Sequence, residues 1–195
     1  MDKIEIAEKC WKSAIQRKSS YYKSLYRDLK FKIEYPVLEI GGGAGTFLRY
    51  NDIKEATILD VAGGTSLAGD YKFIKTDITQ RFPKLNKKFK TIFAMEVLEH
   101  IKNPLYIMSQ VYDLLEGGGR GYIAIPYTPL DPKRIGNENP FDCHVCRWTK
   151  NEIIDQMQKI GFKVRVIQQR RRFKNTAFYL PHCWLVLELK KRMEH

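Results

Sequence analysis

The sequence predicts an α/β fold: a mostly parallel sheet with helices on both faces and an antiparallel edge at its C-terminal side. Three observations predict it. Short apolar runs alternate with segments of helical periodicity, the pattern of a parallel sheet covered on both sides. The first run ends directly in a glycine block, Gly41-Gly42-Gly43-Ala44-Gly45. The last two strand-like runs follow one another with no helix between them, which makes one edge antiparallel.

The chain has 195 residues, which suits one domain with a sizeable core. Residues 1–34 form a separate N-terminal segment, rich in lysine and aromatics and helical in pattern up to residue 31. Its Trp11, Tyr21, Tyr22 and Tyr26 either pack on the domain that follows, 35–195, or form a lid over a substrate. Tyr35-Pro36 ends the segment, because the residue before proline avoids the helical region.

Residues 37–40 then read as a strand, 46–55 as a helix, and 56–61, 71–74 and 90–95 as further strands. A helix is expected over 104–116. Pro104 suits its first turn, Leu105, Met108, Tyr112 and Leu115 recur at helical spacing, and Gly117-Gly118-Gly119 ends it. Residues 121–126 form the next strand. The connection 127–148 is long, and loops of that length are often functional. Thr149 and Glu152 make a capping-box pattern. Ile153, Ile154, Met157 and Ile160 share one face of the helix so started, and Gly161 stands where a C-terminal cap belongs. Phe162, Val164 and Val166 alternate as in a strand, and 184–189 supply the last one.

Composition narrows the class. A hydrophobic fraction of 44% and an aromatic fraction of 12% are ordinary for a globular protein and argue against disorder. Residues 1–9 carry charges of both signs and no apolar stretch, so they do not read as a signal peptide. No apolar run reaches the length of a membrane span. The cysteines at 10, 143, 146 and 183 are too few for a disulfide scaffold, so a reducing, cytoplasmic setting is expected. The net charge of +12 admits anionic partners, whether nucleic acid, a phosphorylated substrate or an acidic membrane surface, and equally a solvated basic surface. The densest basic cluster is Arg170-Arg171-Arg172, with Arg165 and Lys174 nearby.

The glycine block follows a strand and precedes a helix. Glycines there allow positive φ and let a ligand touch the backbone, while the helix N-terminus favours a phosphate or a carboxylate. The spacing is G-x-G-x-G, with Thr46 where a dinucleotide fingerprint needs its third glycine. That disfavours a dinucleotide-binding oxidoreductase. Glu39, just before the glycines, adds negative charge and suits a ligand with a cationic group.

Val37-Leu38-Glu39-Ile40-Gly41-Gly42-Gly43-Ala44-Gly45 resembles the first motif of class I S-adenosylmethionine (SAM)-dependent methyltransferases. Asp60 closes the second strand, about twenty residues on, as a ribose-hydroxyl acceptor does. Asp77 resembles the family's adenine-contacting acid, with Ile78 beside it. Residues 93–101, Phe-Ala-Met-Glu-Val-Leu-Glu-His-Ile, resemble the signature of the small-molecule, ubiquinone-biosynthesis-type branch. The glycine turn before residues 122–126 and the segment from His144 to Gly161-Phe162 match the same pattern. The resemblance spans residues 37 to about 167. It implies a Rossmann-like seven-stranded sheet and SAM as cofactor, with S-adenosylhomocysteine (SAH) as product. The implied cofactor residues are Glu39, Gly41, Gly42, Gly43, Gly45, Asp60, Val61, Asp77, Ile78 and Met95. Residues 62–70 and 78–88 depart from the family in being too short for its usual helices.

Candidates for a general base are His144, His100 and Tyr127, of which His100 also reads as a structural residue at the start of a helix. Cys143, His144 and Cys146 hint at zinc, completed only if the fold brings His182 and Cys183 close; no metal is expected. The expected acceptor is a small molecule, with an anionic one admitted by the charge. The alternatives are an RNA-directed methyltransferase or RNA-binding protein, against which Ala94-Met95-Glu96-Val97 lacks an N-P-P-Y-like motif, and a non-catalytic methyltransferase-like module.

Overall fold

A computed structural model describes residue 26 and residues 29–61, 70–127, 145–172 and 182–193. The first strand, β1 (Val37–Ile40), is buried along its whole length and leads through the glycines to the short helix α1 (Thr46–Tyr50). Strands β2 (Glu55–Asp60), β3 (Asp70–Lys75) and β4 (Phe89–Met95) follow, then a single 3₁₀ turn over Leu98–His100. Helix α2 (Pro104–Leu114), strand β5 (Leu115–Tyr127), helix α3 (Lys150–Ile160) and the pair β6 (Lys163–Arg172) and β7 (His182–Lys190) complete the chain.

The sheet has seven strands in the order β3-β2-β1-β4-β5-β7-β6. Strands β3 to β5 run parallel, and β7 pairs antiparallel with both β5 and β6. The expected fold class is therefore present, including its antiparallel C-terminal edge. The order reverses at β1, so the crevice beside its carboxyl end is where an open α/β sheet binds ligands.

Alternation divides the sheet into two faces. Leu38, Ile40, Ile92, Ala94, Ile123 and Ile125 face one side and form a core with Ile107, Met108 and Val111 of α2 and Ile153 and Met157 of α3. Val37, Ile58, Phe93, Tyr122 and Val186 face the other, against Phe47 and Leu48 of α1 and Tyr26. The N-terminal residues Leu29, Phe31 and Ile33 pack on that same face.

An aromatic cluster fastens this second face. Phe31 sets its edge on Phe47, Phe93 and Tyr122 at centroid distances of 5.7, 5.5 and 5.0 Å, and Phe93 stacks on Tyr122 at 5.3 Å. Polar pairing fixes the same segment. The buried Thr91 hydroxyl accepts from the Glu34 N–H at 2.9 Å and donates to the Glu34 carbonyl at 2.8 Å. The Tyr122 hydroxyl accepts from the Lys32 N–H at 3.0 Å. Residues 29–34 carry no helix, so the helical expectation fails over 29–31. Backbone groups of Lys32 and Glu34 are bonded across to the sheet instead.

Two other expectations need correction. The helix after β1 ends at Tyr50, not at 55, because Asn51 and Asp52 turn the chain, with Asp52 at φ 58°. Ile53 is then buried and its N–H returns to the Leu48 carbonyl. The second concerns Gly117-Gly118-Gly119, which lie inside β5 rather than after a helix. Helix α2 stops earlier, and β4 advances from Phe89 to Thr91 while β5 advances from Leu115 to Arg120. The glycines take up this bulge; a Cβ on Gly119 would sit 3.2 Å from the Lys90 carbonyl oxygen.

The start of α2 and both ends of α3 carry the signals expected of them. The Asn103 side chain caps α2, with Pro104 at its first position. Thr149 and Glu152 form both halves of a capping box, and Gly161 closes α3 at φ 116°. Residues 78–88 carry one turn and otherwise extended chain, and 62–69 lie outside the described residues.

Thr91→Val should destabilise the fold by about 1–3 kcal/mol, because it strands a donor and an acceptor of Glu34 at a desolvated site. Urea unfolding should show a lower midpoint with an unchanged slope.

Candidate active site

The glycine loop is a backbone surface wrapped over one carboxyl group. Gly41 takes φ 70°, Gly43 51° and Gly45 67°. Neighbours also exclude side chains: a Cβ on Gly41 would lie 2.5 Å from Val97 Cγ2, and one on Gly42 would lie 2.3 Å from Glu39 Oε2. The Gly41 N–H donates to the Leu59 carbonyl at 2.8 Å, and the Gly43 N–H to Asp60 Oδ2 at 2.7 Å. The loop is thus tied to the end of β2.

Glu39 is 2% exposed, and its Oε2 has no hydrogen-bond partner. Burial pushes its carboxyl up to about 8, and the charge of Asp60 adds to the rise. A buried, unsatisfied carboxyl oxygen in a core is expensive. A cationic group would satisfy it.

The other residues expected at the site follow the strand ends. Asp60 ends β2 and is joined to the loop, with half-buried Val61 directly after it. Asp77 lies after β3. Its Oδ1 accepts from the Thr79 N–H and hydroxyl at 2.9 and 2.6 Å, so this oxygen shapes the turn. Ile78 is buried in the core on the α2 face. Met95 ends β4 half-buried on the α1 face.

Glu96 follows Met95 in the left-handed region, at φ 58°. A non-glycine residue there stores strain, which tends to gather at functional sites. Its N–H donates to the Ala124 carbonyl at 2.8 Å. Its Oε1 accepts from the Tyr26 hydroxyl at 2.7 Å. Tyr26 in turn sets its ring edge on Phe47 of α1 at 5.5 Å. The sequence offers Tyr26 as a packing or lid residue but does not pair it with Glu96; the two are seventy residues apart, and no local pattern announces the bond.

Of the expected bases, His100 and Tyr127 lie among the described residues. His100 is exposed, with Nε2 4.0 Å from Glu99 Oε1. Glu99 is almost wholly buried, and burial raises its carboxyl to about 8, with the Glu96 charge adding to it. The Glu99 carbonyl accepts from the N–H groups of Val145 and Cys146 at 2.7 and 3.0 Å, anchoring the chain ahead of α3. Tyr127 closes β5, and its hydroxyl accepts from Gln169 Nε2 at 2.7 Å. His144 and Cys143 lie outside the described residues, as do the side chains of His182 and Cys183. Cys146 Sγ donates to the Ile101 carbonyl at 3.1 Å. Among the described residues no three metal-ligating side chains converge, and no helix is long and apolar enough to cross a membrane.

Comparison with known proteins bears on this geometry. The family model of a methyltransferase domain matches residues 12–167. No curated protein matches the sequence. Among solved structures, the chain is similar to a methyltransferase in the complex with the Haloferax volcanii Trm112 methyltransferase activator. The TM-score is 0.67 at 16% identity, over 98% of this chain and 96% of that one. It is also similar to DhpI solved with SAH, with a TM-score of 0.68 at 13% identity over 97% and 95% of the two chains. A SAM-dependent methyltransferase of Thermotoga maritima aligns with a TM-score of 0.64 at 15% identity, over 94% of each chain. These identities establish the shared fold, and the family match establishes the chemistry: the chain belongs to the methyltransferase-domain family, a class I, Rossmann-like enzyme whose methyl donor is SAM.

Proposed function

We propose that the protein transfers the methyl group of SAM to an O, N or C nucleophile of a small-molecule acceptor, and that the crevice at Glu39 to Gly45 holds the donor. The observation that carries this is the buried Glu39 oxygen without a partner, roofed by a glycine that leaves no room for a side chain. Such an oxygen fits the ammonium of the donor's methionine part. Gly41, Gly42, Gly43 and Gly45 let backbone approach that part closely. Asp60 takes the ribose hydroxyls, with Val61 beside them. Asp77 and Ile78 take the adenine, and Met95 lines the channel to the acceptor. The small-molecule branch is supported by Glu96-Val97-Leu98-Glu99-His100, and a cytoplasmic setting by the scattered cysteines.

When bound, SAM supplies a methyl carbon activated by a sulfonium. The protein's own work is alignment and exclusion of water. Glu39 and Asp60 fix the donor from two adjoining strands, which share the register Glu39 opposite Ile58 and Ile40 opposite Leu59. A proton needs removal only when the accepting atom begins protonated. His100, Tyr127 and His144 are the residues proposed for it; Tyr127 is held in place by Gln169. A second reading, action on RNA, is favoured by the net charge of +12 and predicts binding that weakens steeply with salt.

Titration gives a direct test. With its carboxyl raised to about 8, Glu39 is mostly protonated at pH 7 and must ionise to pair with an ammonium. SAH binding at pH 7 should therefore release close to one proton, measured by calorimetry in buffers of different ionisation enthalpy. Glu39→Gln should abolish that release and weaken SAH binding by about 10- to 100-fold, the scale of a charged hydrogen bond. Identical proton release in the variant would remove Glu39 from the site. Without ligand the sign is opposite for stability: the folded state holds this proton more tightly than the unfolded chain. Stability should fall as pH rises from the ordinary carboxylate range to about 8.

Asp60→Ala should weaken SAH binding by about tenfold, through lost hydroxyl contacts and a loosened Gly43. A coupled assay for SAH release, screened over acceptor classes, tests the activity itself; release only with RNA would replace the small-molecule reading.

A further inference from the structure

The amino end of the parallel strands, opposite the crevice at Glu39 to Gly45, carries a row of cations. Arg120 of β5 is directly opposite Lys190 of β7, and Lys190 is directly opposite Lys163 of β6. Residues paired in this way point to one face of the sheet, where like charges repel. The neighbouring carboxylates are committed elsewhere. Glu188 takes Arg165 at 2.6 Å and Arg120 at 3.7 Å. Glu34, in the segment before β1, takes Arg120 at 3.0 Å and Lys32 at 3.1 Å through the same oxygen. Among the described residues, Lys90 and Lys190 enter no ion pair.

A concavity of about 250 Å³ gathers these charges. Lys32, Lys90, Arg120 and Lys190 line it against Glu34 and Glu116, an excess of two positive charges. One wall is the β5 bulge. Between the pairs Phe89–Leu115 and Thr91–Arg120, Lys90 alone of β4 stands against four residues of β5, three of them glycine. Gly118 takes φ 79°, and a Cβ there would lie 2.7 Å from Met193 Sδ. The bulge thus brings bare backbone beside the two lysines that lack a carboxylate. The local field is positive. Lys32, hydrogen-bonded to Glu34, holds that carboxyl below its ordinary range, and Arg120 and Lys90 lower it further. Lys191, 6% exposed, adds a charge from the other face, where its ammonium donates to the Leu115 carbonyl at 3.1 Å and lies over the Tyr112 ring.

From this arrangement we infer that the concavity binds the phosphate group of a small molecule, at a site separate from those of the methyl donor and the acceptor. A phosphate dianion matches the excess of two charges, and lysine and arginine heads are its usual partners. Lys90 and Lys190 supply the charge that the protein leaves unmatched, with Arg120 held between them by Glu34 and Glu188. The place excludes the reacting atoms: from Lys90 to Met95, strand β4 rises roughly 16 Å at about 3.3 Å per residue. The inference is independent of the donor site proposed above.

The test titrates the full chain with sodium pyrophosphate by calorimetry, with and without saturating SAH, and separately with a fluorescent single-stranded RNA oligomer. The wild type should bind pyrophosphate equally in both conditions, and its melting temperature should rise on addition. The double variant Lys90→Gln, Lys190→Gln should lose about tenfold or more of that affinity, together with the melting shift, while keeping its affinity for SAH. Each single variant should lose a smaller share, which keeps the idea testable if the double variant folds poorly. A charge-matched pair on the β3 border, Lys72→Gln, Lys75→Gln, should bind pyrophosphate as the wild type does. RNA binding that is absent, or untouched by the double variant, supports a small phosphate ligand. RNA binding tighter than that of pyrophosphate, steeply dependent on salt and lost in the double variant, would assign the surface to nucleic acid and overturn the small-molecule reading. Pyrophosphate binding that is absent from the wild type, weakened by SAH, undiminished in the double variant, or lost equally in the β3 pair would overturn the site.

Discussion

The structure depends on a carboxyl group placed where a protein ordinarily tolerates none. Glu39 stands in the central strand, between β2 and β4, with backbone folded over it so closely that Gly42 leaves no room for a side chain. Desolvation opposes its charge, and Asp60 opposes it further. Both costs are local and are offset by the packing around β1, whose four residues are all buried. The loop is therefore held in this form at the expense of stability. Gly41 against Val97 and Gly43 against Asp60 make the same loop the junction of the three strands that define the crevice.

A second constraint holds the end of β4. The segment before β1 is not an independent helix but an extended strap bonded to Thr91 and Tyr122 and driven home by Phe31. It delivers Tyr26 to Glu96, so the strained residue after β4 is hydrogen-bonded from the N-terminal segment. The glycine loop, the strap and the end of β4 thereby meet at one place. Phe47, next to the first residue of α1, touches both Tyr26 and Phe31 and couples the loop to the strap.

What could be read in the sequence was whatever local chemistry decides. The glycine spacing, Glu39, the strand-end acids, the capping box at Thr149 and the cap at Gly161 are each set within a few residues of themselves, and each appears where expected. The errors fall where distant contacts overrule local pattern. Residues 29–31 look helical until Phe31 is drawn into the aromatic cluster of Phe47, Phe93 and Tyr122. Gly117–Gly119 look like a helix stop until the β4–β5 register needs a bulge. Asn51 and Asp52 end α1 early because Ile53 must be buried. The Tyr26–Glu96 bond and the Arg165–Glu188 ion pair are matters of long-range pairing. The candidate bases stayed unresolved because a histidine or tyrosine gains its role from neighbours that the sequence does not place beside it.

The two borders of the sheet have a consequence for the protein in a crowded solution. An exposed border strand offers unpaired backbone groups to any other chain, and natural proteins discourage such pairing with charge. Here β3 carries Lys72 and Lys75, and β6 carries Lys163, Arg165 and the arginine run. Both borders are thus rich in positive charge. Two copies approaching border to border meet like charge against like, which opposes growth of the sheet from one molecule into the next. The arginines that end β6 add to the border charge that keeps neighbouring copies from joining.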